Sequence, residues 1–190
     1  TLVSDKLNFP NLSMVGVDDR AASYQAVSYL IQQGHSKIAV LGGPVTSYPS
    51  MMRREGAQQA MRDAGIQFND NLYGLSNYDF ESAYHAMNSL LARRAEFTAL
   101  FAMSDVIAFG AIRALVSAGF RVPEDVSVIG FDGITMSRYC VPVMTTIVQP
   151  SEQIALQSIE LLIRQIEHGA PAQTVTLQPE LQQGESVRAI

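Results

Sequence analysis

Short apolar runs alternate with helix-period segments through the middle of this chain, and that alternation limits the fold more than any other feature. Three runs stand out: Lys37-Ile38-Ala39-Val40-Leu41, Thr98-Ala99-Leu100-Phe101-Ala102 and Val126-Ser127-Val128-Ile129-Gly130-Phe131. Near-continuous apolar stretches of this length suit strands buried on both faces, as in a parallel sheet. Helical spacing lies between them. Met52 to Ala64 places Ala57, Ala60, Met61 and Ala64 together, with Gly65 as a stop. Phe80 to Ala92 aligns Ala83, Met87, Leu90 and Leu91, and Val106 to Ser117 follows an N-cap at Ser104 or Asp105 and ends before Gly119. Leu72-Tyr73-Gly74-Leu75 is a weaker strand candidate. This order predicts right-handed βαβ units around a parallel sheet, an α/β fold.

The flanks follow the same pattern. Leu12 to Val17 reads as a strand ending at Asp18-Asp19, and Ala22 to Gln33 as the helix after it. Ser151 to His168 is amphipathic, with Ile154, Ile159, Leu162, Ile163 and Ile166 apolar, Gly169 as its cap and Pro171 barring continuation. Gln173 to Leu177 is a last strand before Pro179. A chain of 190 residues can bury one α/β domain and part of another.

Composition excludes several function classes. The net charge is −5, and the only basic pairs are Arg53-Arg54 and Arg93-Arg94, too few for a nucleic-acid surface on this chain. A single cysteine, Cys140, rules out an internal disulfide and fits a reducing, cytoplasmic compartment. Three scattered histidines (His35, His85, His168) and no CxxC argue against zinc. No apolar run is long enough to cross a membrane, and the first residues lack a signal peptide's basic-then-apolar layout. No cofactor, metal or membrane contact is expected.

Ligands of open parallel sheets bind beyond the carboxyl ends of the strands. There the sequence places Gly42 to Tyr48 with Arg53 beyond them, then Met103-Ser104-Asp105, then Asp132-Gly133. One guanidinium, one hydroxyl and one or two carboxylates on one rim suit a neutral polyhydroxyl ligand. Tyr78 adds an aromatic face on which a sugar or base stacks. Each has a plainer reading. Asp105 reads more readily as a helix N-cap, Arg53 equally as a surface residue, and Asp132 as a turn former. Enzyme signatures fail: Gly42-Gly43-Pro44 is no phosphate loop, and neither GxGxxG nor GxSxG occurs. Asp18-Asp19 reads as a strand end and Cys140 as a packed thiol.

Taken in order, these segments resemble the LacI/GalR family of transcriptional repressors. Val17-Asp18-Asp19 is followed by Gly34-His35-Ser36-Lys37-Ile38-Ala39, then by Arg53-Arg54-Glu55-Gly56, similar to the family's RxxG helix start. Phe101-Ala102-Met103-Ser104-Asp105, Gly119 to Asp132 and Pro142 to Pro150 continue the series, which ends at Leu177-Gln178-Pro179-Glu180-Leu181. The resemblance implies a periplasmic-binding-protein-like sensor: a Rossmann-like parallel-sheet lobe with remnants of a second lobe. Its blocks would be 1–34 (first-lobe remnant), 35–148 (sheet lobe), 149–172 (crossover and returning helix) and 173–190 (final strand and tail on the sheet lobe).

The same resemblance implies effector contacts at Arg53, Asp132, Gln149, Ser104 and Tyr78, and a dimer face including Val106, Phe109, Arg113, Tyr139 and Val141. The implied partners are a small-molecule effector, most simply a sugar, a second copy of the chain, and operator DNA through a segment this chain lacks. Glu185 stands before Ser186 where the family usually has Arg, which puts the tail's contacts in question. Two rivals share the fold: a periplasmic sugar-binding protein and a Rossmann-like enzyme. The runs 122–132 and 145–150 favour the repressor, and no catalytic base or cofactor loop supports the enzyme.

Overall fold

Nine strands and five α-helices make up the described residues, 2–3 and 12–190, of the computed structural model. In order they are β1 (Leu2–Val3), β2 (Met14–Val17), α1 (Asp19–Gln32), β3 (Ile38–Gly42), α2 (Tyr48–Asp63), β4 (Tyr73–Leu75) and α3 (Phe80–Ala92). Then come β5 (Ala99–Ala102), α4 (Asp105–Ser117), β6 (Ser127–Asp132), β7 (Thr145–Val148), α5 (Ser151–His168), β8 (Thr174–Leu177) and β9 (Glu180–Gln182).

The larger sheet has the order β4-β3-β5-β6-β7-β9, parallel throughout except for the antiparallel edge β7/β9. Its central strands are buried along their length, as their continuous apolar runs require. The chain crosses outward from β3 to β4 and then back from β4 to β5. Right-handed crossovers in opposite directions put α2 on one face and α3 and α4 on the other. α1 packs beside α2, and α3 beside α4. Both pairings need a glycine. A Cβ on Gly56 of α2 would lie 2.1 Å from the Arg20 carbonyl oxygen of α1, and one on Gly110 of α4 would lie 2.5 Å from the Phe80 carbonyl oxygen of α3.

Helix starts follow their capping side chains. Asp18 accepts the Ala21 N–H at the head of α1, Asp79 the Ser82 N–H at α3, and Ser104 the Ile107 N–H at α4. Ser104 is therefore the cap of α4, and Asp105 is not. α5 ends at Gly169 with φ 60°, the left-handed cap expected there.

A second sheet, β1-β2-β8, is parallel and small. Val15 of β2 packs with Ile154 and Leu161 of α5 in a separate cluster. The packing divides the chain differently from the expected blocks. α1 buries Ala22, Ala26, Val27 and Leu30 in the large core, so residues 19–34 pack with the larger sheet and not with the smaller one. β8 pairs with β2 in the small sheet, whereas β9 pairs with β7 in the large one. The tail thus splits between the two sheets. Helix amphipathicity identifies α1 as a helix but does not say against which neighbour its stripe lies.

Despite Glu185, the tail is tied firmly. Ser186 Oγ donates to the Val128 carbonyl at 2.6 Å and accepts the Thr145 N–H at 2.8 Å, while Glu185 accepts the Val143 N–H. His35, buried just before β3, bonds Thr98 Oγ1 and the Arg188 carbonyl of the tail. Burial holds its pKa below the ordinary value.

Candidate functional site

Four elements bring their ends together beyond the larger sheet. Arg53 lies in the second turn of α2, Asp19 opens α1, Asp132 ends β6, and Gln149 follows β7. Arg53 is buried, 6% exposed. Its Nε donates to Asp19 Oδ1 at 2.7 Å, and its Nη1 donates to the Met103 carbonyl and lies 3.5 Å from Asp132 Oδ1. The guanidinium stacks on Phe131, 3.7 Å from the ring centroid. These contacts fix the plane and direction of a side chain that has many rotamers in solution.

Asp132 is held from the other side. Gln149 Nε2 donates to Asp132 Oδ1 at 2.7 Å, and the Gln149 backbone N–H to the Asp132 carbonyl at 3.0 Å. The parallel register Asp132↔Val148 of β6 and β7 sets this up. Asp132 has φ 114°, a backbone conformation that L residues rarely adopt, so its position is enforced by its neighbours. Burial raises its carboxyl pKa, with the Arg53 charge opposing and the Asp19 charge adding to the rise.

Ser104 follows Met103 directly and is buried, its oxygen engaged as the α4 cap. Tyr78, with φ 60°, bonds Ser50 Oγ through its hydroxyl at 2.6 Å and lies over Gly43, where a Cβ would meet its ring at 2.1 Å. It is joined to the β3–α2 segment that carries Arg53, with no bond to Arg53 itself. Arg53, Asp132 and Gln149 form one bonded group, and Ser104 and Tyr78 stand on the segments next to it.

Two carboxylates differ from the sequence reading. Asp19, read as a strand end, is an integral partner of Arg53. Asp105 is a fully buried brace: its oxygens accept the Thr146 hydroxyl at 2.6 Å and the Ile134 N–H at 2.8 Å. Gly130 leaves room for it, since a Cβ there would lie 2.2 Å from Asp105 Oδ1. Burial pushes the Asp105 carboxyl up to about 6, against those two hydrogen bonds. No spacing rule distinguishes Asp18, which caps a helix, from Asp19, which turns inward to a residue 34 positions away.

A cleft of about 270 Å³ lies between the small sheet and the first turns of α1 and α2, lined among others by Tyr48, Met52, Arg20 and Thr176. It meets the bonded group at Asp19. Among the described residues no cluster of His, Cys, Asp and Glu is arranged to hold a metal ion, and no helix is long and apolar enough to cross a membrane. Cys140 is a packed thiol whose Sγ donates to the Ser137 and Pro142 carbonyls.

On the far side of α4, Arg113 is exposed and Val106 and Phe109 are half-buried. Tyr139 is 77% and Val141 93% exposed.

Residues 27–187 match the periplasmic binding protein-like domain family. A sugar-binding transcriptional regulator of the LacI family from Escherichia coli, solved with phosphate, is 33% identical with a TM-score of 0.88, covering 99% of this chain and 68% of that one. The chain belongs to the LacI family. The HTH-type transcriptional repressor PurR of Histophilus somni is 34% identical over 181 residues, 95% of this LacI-family chain and 54% of the relative. The solved complex of the transcriptional regulator CelR with cellobiose is 31% identical with a TM-score of 0.90, covering 95% of this chain and 56% of that one. The chain thus spans about half the length of the PurR relative that it matches. The α/β, periplasmic-binding-protein-like fold read from the sequence is the fold found.

Proposed function

We propose that this chain is the ligand-sensing and self-associating part of a LacI-type transcriptional regulator, working in the cytoplasm where its operator DNA is. The Arg53–Asp132–Gln149 group carries this reading. Donors and acceptors are preset on a dry scaffold, beyond the carboxyl ends of parallel strands. Asp132 accepts hydroxyl or amide hydrogens, Gln149 offers one of each kind of group, and Tyr78 supplies a face for a ring.

The effector is a small polyhydroxyl or heterocyclic compound, most simply a sugar. It acts by binding one arrangement of the two sheets more tightly than the other. Val106, Phe109 and Arg113 of α4, with Tyr139 and Val141 beyond β6, form the face for a second copy, and their exposed apolar area supports this. DNA contact belongs to sequence outside this chain, in keeping with its charge of −5. That the relatives are regulators supports this role over sugar transport and over catalysis.

Calorimetric titration of the full-length regulator with a sugar and nucleoside panel tests the site. Asp132→Ala is expected to weaken the effector at least about 100-fold, since a buried Arg53 then loses one of its two anionic neighbours and the ligand its acceptor. Unchanged affinity in a folded Asp132→Ala protein would remove the site assignment.

A further inference from the structure

Asp105 is fully buried and stands apart from the group around Arg53, whose guanidinium pairs with Asp19 and Asp132. It is not the cap of α4 either, which is Ser104. Its two oxygens serve two other parts of the chain. Oδ1 accepts the Thr146 hydroxyl of β7 at 2.6 Å, and Oδ2 accepts the N–H of Ile134, beyond the end of β6, at 2.8 Å. The Gly133 backbone also favours its charged form. Gly130, lacking a Cβ, leaves the space in which the carboxylate lies against β6.

The bond to Ile134 holds the root of a turn. The Ile134 carbonyl accepts the N–H and the hydroxyl of buried Ser137 at 2.9 and 2.7 Å, closing the 3-10 turn Thr135–Arg138. The chain then runs through Tyr139 and Val141, and the Met144 N–H returns to the Ser137 carbonyl at 2.9 Å. Asp105 is at the same time the first residue of α4, which carries Val106, Phe109 and Arg113. One buried side chain thus joins the two parts of the expected self-association face.

Fold stability does not account for a charge at this place. Burial penalises it and pushes the carboxyl up to about 6. Geometry does account for it, because hydrogen bonds to an ionised acceptor are shorter and about twice as strong as neutral ones. The titratable groups that face Asp105 are Asp132 of β6, with a like charge, and Cys140 after the turn, whose thiol burial holds above its ordinary value.

We infer that Asp105 is a positioning residue for self-association: its ionised carboxylate holds the 134–141 segment against α4, so that both parts of the face meet a second copy as one surface. This rests on the self-association reading and deepens it.

The experiment is sedimentation velocity of the full-length protein across pH, in wild type, Asp105→Asn and Thr146→Val, with denaturant unfolding of each alongside. Asp105→Asn keeps the shape and removes the charge. At about pH 7.5 wild type is expected to associate about tenfold more tightly than Asp105→Asn, and by about pH 5 the two are expected to converge as the carboxyl protonates. Other groups that titrate in this range, Asp132 among them, are present in both proteins and cancel in the ratio. At about pH 7.5 Asp105→Asn is expected to be no less stable than wild type, a combination that a merely structural role does not produce. Thr146→Val removes a bond to the charged form, so the pH at which association falls is expected to move upward, and this variant decides alone if Asp105→Asn does not fold. An association constant unmoved by Asp105→Asn, one that falls only in step with stability, or a midpoint unmoved by Thr146→Val would overturn the inference. A wild type that stays monomeric at every pH and concentration would remove the self-association reading, and this inference would fall with it.

Discussion

Asp132 and Asp105 are both partly or fully buried carboxylates at the mouth of the larger sheet, yet they do different work. Asp132 keeps an exposed edge and a guanidinium neighbour, whereas Asp105 is closed in by Thr146, Ile134 and Gly130. The Asp105 carboxyl lies at about 6, above the ordinary carboxylate range. Between the ordinary value and about 6 the folded chain therefore binds more protons here than the unfolded one. Stability from this group falls as pH rises through that window, and the penalty is complete above it. Denaturant unfolding across the window should show wild type losing stability relative to Asp105→Asn as pH rises, and parallel pH profiles would contradict it. Arg53 and Asp132 were legible in the sequence because they follow a strand or open a helix after one, whereas Gln149 came only from the family resemblance, since β7 was not read as a strand. Asp19 was not legible, because its inward turn depends on how α1 packs on α2, which the spacing of charges does not encode.

That packing is set at the level of elements. Gly56 lets α1 and α2 approach until only a glycine fits, and the first residue of α1 is the one that holds Arg53 on α2. Gly56→Ala should push the helices apart, costing about 1–3 kcal/mol by overpacking, and should loosen the Asp19–Arg53 pair. Ligand affinity should fall together with the denaturation midpoint. A variant that loses neither would show that the close approach is dispensable. α3 and α5 were predicted at their observed limits because strong periodicity and clear stops coincide. β7 and β9 were not read as strands. They are four and three residues long; β7 is buried between β6 and β9, and β9 is a part-exposed edge.

Among the described residues, α5 leaves an apolar face open. Along α5, Leu156, Ile159, Leu162, Ile163 and Ile166 are 61%, 56%, 42%, 46% and 74% exposed, while Ile154 and Leu161 alone are buried. An apolar stripe of this extent on a folded chain marks a contact surface. The chain spans 54% of the length of its PurR relative, and the small sheet has three strands. Ile159→Glu with Ile166→Glu should reduce hydrophobic-dye binding by this 190-residue chain, yet destabilise the full-length regulator. Equal stability of the longer protein with and without the changes would show that nothing covers the stripe. The sequence made the apolar face of α5 visible, but not the reassignment of α1 to the larger sheet, since periodicity names a face and leaves its neighbour unnamed.

The most direct measurement is operator affinity of the full-length protein with and without its effector, in wild type and in Asp132→Ala. The expected result is an effector-dependent change in operator affinity for wild type and none for Asp132→Ala, with equal operator binding by the two when no effector is present. An Asp132→Ala protein that still responds to the effector as wild type does would contradict a sensor built on Arg53, Asp132 and Gln149.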